Sequence, residues 1–339
     1  MAFSGTGKIW MNGALVEWKD ATVHIASHMI HYGTAVFEGA RCYDTRRGSA
    51  CFRLDAHMRR LQESAKIYRM EYALDLDGWQ NAVLETIRAN QMQACYIRPI
   101  VYRGYDSLGV NPFSCPVHAS IMLWEWGAYL GKEALEQGVD VKIGSWSRMA
   151  PNTLPAMAKS SANYANSGLL KMEAITDGYA EAIALDVHGN VSEGSGQNVF
   201  IVRDGVMHTP PIASSILGGI TRDSIITLAG ELGITVKETV LPREALYLAD
   251  EAFFVGTAAE VTPIRSIDKI VVGAGRRGPV TERVQRAFFD IVTGEAADRH
   301  GWLTPVYPQQ ARAASSDRQR ESRQGAEGAM ADERVTHAR

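Results

Sequence analysis

The chain has 339 residues, of which 46% are hydrophobic, and a formal net charge of −3. That length supports two packed cores, and a near-neutral balance without a long basic run excludes nucleic acid as the main partner. The opening MAFSGTGKIW has no apolar signal region and no run of about 18 apolar residues follows, so the expectation is a cytoplasmic protein that does not span a membrane.

In chain order, KIWMNGALVEW places Asn12-Gly13 between apolar runs, a hairpin signal. In DAHMRRLQESAKIYRM, Leu54, Met58, Leu61, Ala65 and Tyr68 fall on one helical face, with Asp55 suited to capping. DLDGWQNAVLETIRANQ reads as a second helix, ACYIRPIVYRG as a buried strand and ASIMLWEWGAYL as a further apolar run after the loop SLGVNPFSCP. Strand signals give way to a Gly-flanked connection near residues 126–136. Beyond it, EAIALDVHGNVSEG and NVFIVRDGVMHTP read as hairpins turning at His188–Asn190 and at Asp204-Gly205. TRDSIITLAGELGI is a helix stopped at Gly233, and VTERVQRAFFDIVTG is the last helix. Strands joined mostly by tight hairpins predict an α+β fold with mainly antiparallel sheets. The polar segment from about residue 308 predicts disorder.

Lys159 is conspicuous because no carboxylate occurs between Lys142 and Lys171. A desolvated lysine without a counter-ion favours its neutral amine, which attacks carbonyls and forms Schiff bases. Two anion cradles follow. In SSILGGITRDSIITLAG a Gly pair runs into a helix beginning near Thr221, and in DEAFFVGTAAEVTP a strand ends at Gly256-Thr257. Free amides at such ends suit a phosphorylated cofactor. Glu193, in VSEGSGQNVF, could pair with a ring nitrogen, and Tyr96 and Arg98 share one face of a strand, a carboxylate-recognition pattern. Each also has a plainer reading as a turn, a solvent-facing glutamate or a structural ion pair.

Two motifs point elsewhere. Gly273-x-Gly275-x-x-Gly278 matches a dinucleotide fingerprint, yet no second parallel strand can follow it. His24, His28 and His31 have metal-like spacing but lack a carboxylate or thiolate ligand before Glu38, so core and turn roles are expected. The four cysteines (Cys42, Cys51, Cys95, Cys115) form no C-x-x-C pair and are read as reduced thiols.

HYGTAVFEGARCY, HMRRLQESAKIYR, YIRP, APNTLPAMAKSSANY, ALDVHGNVSEGSGQNVF, LGGITRDSI and GTAAEVTPIRSID occur in the order found in branched-chain amino acid aminotransferases. The chain resembles that family from about Ile9 to Trp302. The resemblance implies a two-domain fold-type IV enzyme like the D-amino acid aminotransferases, with residues 1–125 as a smaller domain, 126–136 as a connection and 137–307 as the larger cofactor-binding domain.

It further implies pyridoxal 5'-phosphate held as a Schiff base by Lys159, with Glu193 at the pyridine nitrogen and Tyr164 at the phenolic oxygen. Arg60, Ile220, Thr221 and Thr257 would hold the phosphate, with Leu217, Gly219 and Gly256 beside them. The substrate's α-carboxylate would meet the amides of Thr257 and Ala258 together with Tyr96. Arg98, assisted by Tyr32 and Tyr129, would take the side-chain carboxylate of glutamate or 2-oxoglutarate. Phe37, Gly39, Trp126 and Tyr129 would form the wall for a branched aliphatic chain, and Val110 would reach the neighbouring subunit of a homodimer or larger homo-oligomer.

The implied reaction is amino transfer between leucine, isoleucine or valine and 2-oxoglutarate. D-amino acid or (R)-amine transamination and aminodeoxychorismate lyase chemistry are the alternatives on the same fold. Departures from the family pattern are Gly218, Ser160-Ser161-Ala162 and Glu125.

Overall fold

Asn12 and Gly13 both adopt positive φ, 50° and 95°, and join the first two strands in a tight hairpin with Met11 opposite Ala14. The computed structural model describes residues 5–127, 130–131 and 133–307. Up to residue 127 it contains β1 (Lys8–Met11), β2 (Ala14–Glu17), α1 (His28–Tyr32), β3 (Ala35–Phe37), β4 (Ala40–Thr45), β5 (Gly48–Phe52), α2 (Leu54–Ile67), α3 (Leu76–Ala89), β6 (Cys95–Arg103) and β7 (Val117–Trp124). After the connection come α4 (Ala134–Gln137), β8 (Val139–Ile143), α5 (Ser161–Thr176), β9 (Glu181–Leu185), β10 (Val191–Gly194), β11 (Asn198–Arg203) and β12 (Val206–Thr209). The remainder is α6 (Ile220–Glu231), β13 (Val236–Glu238), β14 (Glu251–Gly256), β15 (Glu260–Ile267), β16 (Ile270–Val271), α7 (Pro279–Val292) and β17 (Leu303–Pro305).

The first sheet runs β17-β5-β4-β6-β7-β1-β2 with β3 also on β6, and its pairings are all antiparallel. The second runs β10-β9-β8-β15-β14-β11-β12-β13 with β16 on β15. It is mixed, because β8 pairs in parallel with both β9 and β15, and β12 pairs in parallel with β13. The α+β class read from hairpin spacing is correct, and these parallel pairs are the crossovers that no tight turn announces. The chain leaves the first sheet after Trp124 and enters the second at Val139.

Helix α2 buries Leu54, Met58, Leu61 and Ala65 against the first sheet, where they join Trp10, Trp79, Ile97 and Ile121. Its start differs from expectation. Arg53, in the left-handed region at φ 49°, precedes the helix, and Asp55 lies inside the first turn, where its charge suits the helix dipole without capping. Asp75 does cap α3, accepting from the Gly78 amide at 2.8 Å.

Strand β14 is buried on both faces, so it reads as a continuous apolar run. Phe253 packs beneath α6 and α7 with Phe200, Leu228 and Phe288, while Phe254 points to the opposite core with Val141 and Ile183. Fully burying each such side chain contributes roughly 1.5–3 kcal/mol.

Both misleading motifs are absorbed by the fold. Strand β16 is antiparallel to β15, and the α7 amides of Val280 and Thr281 donate to Glu251 at 2.9 and 2.7 Å, so a side chain already fills the anion position behind the glycine motif. His28 is buried between the Thr34 hydroxyl (2.8 Å) and the Gly109 carbonyl (2.7 Å), and no metal-holding cluster occurs among the described residues. All four cysteines are free and buried. Among the described residues no helix is long and apolar enough to cross a membrane. The segment from residue 308 lies outside the described residues.

Candidate active site

One cleft, open to solvent, lies between the edge formed by β3, β4 and β6 and the ends of β10, β14 and α6. It gathers Lys159, Arg60, Tyr164, Glu193, Leu217, Gly219, Ile220, Thr221, Gly256 and Thr257 from the expected cofactor set. From the substrate set it gathers Phe37, Gly39, Tyr96, Arg98, Trp126 and Ala258.

Lys159 sits just ahead of α5, between Ala158 and Ser160, which caps the helix through its side chain. Its amide donates to the Ser64 hydroxyl (3.0 Å) and its carbonyl accepts from the Phe37 amide (2.9 Å), so the backbone is tied to both α2 and β3. The ammonium nitrogen lies 2.6 Å from the Tyr164 hydroxyl, and no carboxylate is within 4.0 Å of it among the described residues. No direct ion pair therefore holds Lys159 among the described residues, although the Glu193 carboxylate lies close enough in the same cleft to feel its charge.

Glu193 is almost fully buried on β10. One oxygen accepts from Arg148 at 2.7 Å, and the other accepts from the Asn198 amide group (3.0 Å) and the Leu217 backbone (3.1 Å). Burial pushes its carboxyl up from the ordinary value, and the charge of Arg148 and the Leu217 hydrogen bond only partly oppose this. A buried, firmly oriented carboxylate facing a cleft suits a protonated heterocyclic nitrogen.

The first turn of α6, which follows the Gly pair, presents its free amides to the cleft. No side chain caps it, Ile220 and Thr221 are buried, and Gly219 is required because a Cβ there would lie 1.9 Å from Asn198 Oδ1. Arg60 closes the cup from α2, with Nη1 donating to the Gly218 carbonyl at 2.8 Å. Gly256 ends β14, and the turn 257–259 follows. Glu260, at φ 54°, anchors the far side of that turn through Tyr43 (3.1 Å) and Arg41 (3.4 Å).

The substrate side is aromatic. The Arg98 guanidinium carbon lies 4.7 Å from the Phe37 ring centroid, 5.6 Å from Tyr96 and 5.3 Å from Trp124. Its buried Nε has no hydrogen-bond partner, and no carboxylate lies within 4.0 Å of its guanidinium among the described residues. The alternative of a structural ion pair for Arg98 is therefore not realised among the described residues. Gly39 admits the Tyr96 hydroxyl, which a Cβ would meet at 2.0 Å, and Trp126 packs edge-on against Tyr96 at 4.6 Å.

Tyr32 and Val110 stand apart from this cleft. Tyr32 is 43% exposed on α1 and Val110 is 87% exposed in its loop, so neither helps form the cleft of its own chain. Tyr129 lies outside the described residues. The sequence reading assigned no role to Glu38, His57, Arg148 or Asn198. The only local signal was a glutamate inside the apolar run AVFEGA, where a charged residue demands a partner.

A family model of amino-transferase class IV matches residues 35–267. The chain belongs to the class IV aminotransferases. This class IV aminotransferase is 55% identical over 301 residues to the branched-chain-amino-acid aminotransferase of Escherichia coli K12, covering 88% of this chain and 97% of that one. The crystal structure of the Escherichia coli enzyme superposes with a TM-score of 0.88 at 54% identity, over 89% of this chain and 100% of that chain. Another branched-chain amino acid aminotransferase, solved in complex with N-(5'-phosphopyridoxyl)-L-glutamate, gives a TM-score of 0.85 at 45% identity, over 89% and 99% of the two chains. The fold-type IV architecture expected for this class IV aminotransferase is the one these structures share.

Proposed function

We propose that this cleft carries out pyridoxal phosphate-dependent transamination of branched-chain amino acids, with Lys159 as its proton-transfer group. The activity is amino transfer between branched-chain amino acids and 2-oxoglutarate, and the cofactor is pyridoxal 5'-phosphate. The observation that carries the assignment of roles is the convergence of Lys159, Glu193 and the uncapped α6 N-terminus on one cleft, opposite Arg98 in its aromatic cage.

The residues present fit the cofactor. Arg60, the Ile220 and Thr221 amides and Thr257 would hold the phosphate, Glu193 the ring nitrogen and Tyr164 the phenolic oxygen. When bound, pyridoxal 5'-phosphate supplies the carbonyl carbon that exchanges amino groups and a ring that takes up the electron pair released at the substrate's Cα. Lys159 Nζ would take up the proton from the substrate's Cα and hold it for return. The nearby Tyr164 hydroxyl orients this amine, and the Phe37 and Tyr164 rings, 5.2 and 5.0 Å away, shield it. The Thr257 and Ala258 amides with the Tyr96 hydroxyl would receive the substrate's α-carboxylate.

Phe37, Trp126 and the face of Tyr96 suit a branched aliphatic chain, which gains about 1.5–3 kcal/mol on burial. Arg98 receives a γ-carboxylate when glutamate or 2-oxoglutarate arrives. The same reading takes the protein as a cytoplasmic homo-oligomer in which the exposed Tyr32 and Val110 complete the partner's cleft. Residues 1–125 then supply most of the substrate wall and 137–307 most of the cofactor cup, joined by 126–136.

The test is an amino-donor panel of L- and D-amino acids against 2-oxoglutarate, with visible spectra of the purified protein. Yellow protein that turns over L-leucine, L-isoleucine and L-valine is expected. A colourless protein that stays inactive with added pyridoxal phosphate would refute the reading.

A further inference from the structure

Glu38 sits at the corner between β3 and β4, with no exposed surface, directly between the cleft residues Phe37 and Gly39. Its backbone amide donates to the Pro99 carbonyl at 2.8 Å, which fixes the corner to β6. The carboxylate turns away from the substrate wall and into α2. Arg60 Nε donates to one oxygen at 2.6 Å and Nη2 to the other at 3.0 Å, a bidentate fork. His57 Nδ1 lies 2.7 Å from the second oxygen, and the Gly39 amide donates to the same oxygen at 3.2 Å.

Burial alone would raise the Glu38 carboxyl. The charge of Arg60 and the hydrogen bond from His57 outweigh it and hold the group well below the usual carboxylate range. An ionised carboxylate only accepts, so His57 carries its proton on Nδ1. His57 is itself lowered by burial and stays neutral, although its bond to Glu38 opposes the shift.

A guanidinium has five N–H groups. Two are taken by Glu38 and one by the Gly218 carbonyl, and Gly218 immediately precedes the α6 cap residue. Two N–H groups remain, on Nη1 and Nη2, and Arg60 lines the same cleft as Gly219, Ile220 and Thr221. Without the fork, a long flexible side chain would have to order itself on binding, which weakens affinity.

We propose that Glu38 is a positioning residue for the phosphate cup, clamping Arg60 so that its two remaining N–H groups are held beside the α6 N-terminus before the cofactor arrives. This rests on the reading of the cleft as a pyridoxal phosphate site. Glu38 touches neither substrate nor cofactor and acts through Arg60. Its placement between Phe37 and Gly39 also joins the phosphate cup and the substrate wall in a single corner of backbone.

The test compares binding of pyridoxal 5'-phosphate and unphosphorylated pyridoxal to the cofactor-free full chain, followed by absorbance, with inorganic phosphate as a competitor. Glu38→Gln keeps the volume but places an amide donor against the guanidinium. Its expected effect is a tenfold or greater loss of pyridoxal phosphate affinity with less than a twofold change for pyridoxal, and weaker competition by phosphate. Glu38→Asp should restore part of the difference.

Equal losses for the two ligands would reduce Glu38 to a purely structural role and overturn the proposal. Tighter pyridoxal phosphate binding would also overturn it, since the carboxylate would then act mainly by cancelling the charge of Arg60. Arg60→Lys leaves the buried carboxylate in place and removes the fork. It should lower the same affinity ratio, and the double variant should lose no more than the worse single one. Fully additive losses in that cycle would refute the coupling. Wild-type protein that binds pyridoxal as tightly as its phosphate would instead refute the underlying reading of the cleft.

Discussion

Arg148 and Glu193, separated by 45 residues in the chain, meet at 2.7 Å with side chains only 5% and 7% exposed. Two buried charges in such a place are interdependent. The arginine's charge favours the ionised form of a carboxyl that burial pushes towards protonation.

Arg148→Met should therefore cost about 3–5 kcal/mol of stability, because it strands a buried carboxylate. It should also weaken cofactor binding, as Glu193 then favours its neutral form. Urea unfolding and a pyridoxal phosphate titration check both effects. Unchanged stability and affinity would show that Asn198 and the Leu217 amide suffice to hold the carboxylate.

On the proposed reading, removing the Lys159 amine removes the proton carrier and leaves the cup intact. Lys159→Ala should retain part of its affinity for the cofactor through Arg60, Glu193 and the α6 amides, while transamination falls by about 10⁴-fold, the upper range for a lost acid–base group. Steady-state rates with leucine and 2-oxoglutarate, measured beside the binding titration, decide the point. Full activity in this variant would defeat the assignment.

No carboxylate of the described residues lies within 4.0 Å of the Arg98 guanidinium, and on the proposed reading it meets one when glutamate or 2-oxoglutarate occupies the cleft. Arg98→Met should lower kcat/KM for glutamate by about 10–100-fold, the worth of a lost charge-assisted hydrogen bond, and change that for leucine by only a few-fold. Equal losses with both donors would reassign Arg98 to a structural part in the aromatic cage.

Gly219 leaves room for Asn198, whose amide group donates to both Glu193 (3.0 Å) and the Leu217 carbonyl (3.0 Å). Gly219→Ala sets a methyl 1.9 Å from Asn198 Oδ1 and must displace it. The expected outcome is a folded protein with several-fold weaker cofactor binding and a shifted absorbance maximum. Wild-type affinity in this variant would contradict the tight approach.

His57 carries a pH signature. Burial lowers its imidazole below 6.5 in the folded protein, against the opposing hydrogen bond from Glu38, while the unfolded chain titrates near the ordinary value. Below that value the unfolded state binds more protons, so stability falls as pH is lowered, by at most about 1.4 kcal/mol per unit for this group. His57→Asn keeps an amide donor for Glu38 without the titration. Urea midpoints between about pH 7.5 and 5.5 should fall less steeply for the variant. Parallel slopes would exclude His57 as the source.

Features carried by a few neighbouring residues were legible in the sequence. The Asn12-Gly13 and Asp204-Gly205 turns need only two adjacent residues able to take positive φ, and α2 shows its face through Leu54, Met58 and Leu61. Lys159 was legible because an absence of acidic residues can be read from sequence. What stayed hidden depends on distant parts of the chain meeting. Arg148 reaches Glu193 across the second sheet, Glu38 finds Arg60 on the next helix, and Arg41 meets Glu260 over 219 positions. Asp55 was misread as a cap because the choice of Arg53 depends on its left-handed backbone, not on side-chain chemistry.

Strand β17 brings the last described residues back to the edge of the first sheet, at the side opposite β1 and β2. Leu303–Pro305 pairs with Gly48–Phe52, the Arg53 amide donates to the Trp302 carbonyl at 2.6 Å, and Arg88 Nε donates to the Val306 carbonyl at 2.6 Å. A fragment ending near residue 125 would leave Gly48–Phe52 as a bare edge, open to pairing with another chain. The complementary fragment would carry a short ribbon with nothing to join. The protein therefore cannot be split near residue 125 into two self-sufficient modules. Its last described strand works as a clasp, so the first sheet reaches its full width only after residue 305 has been made.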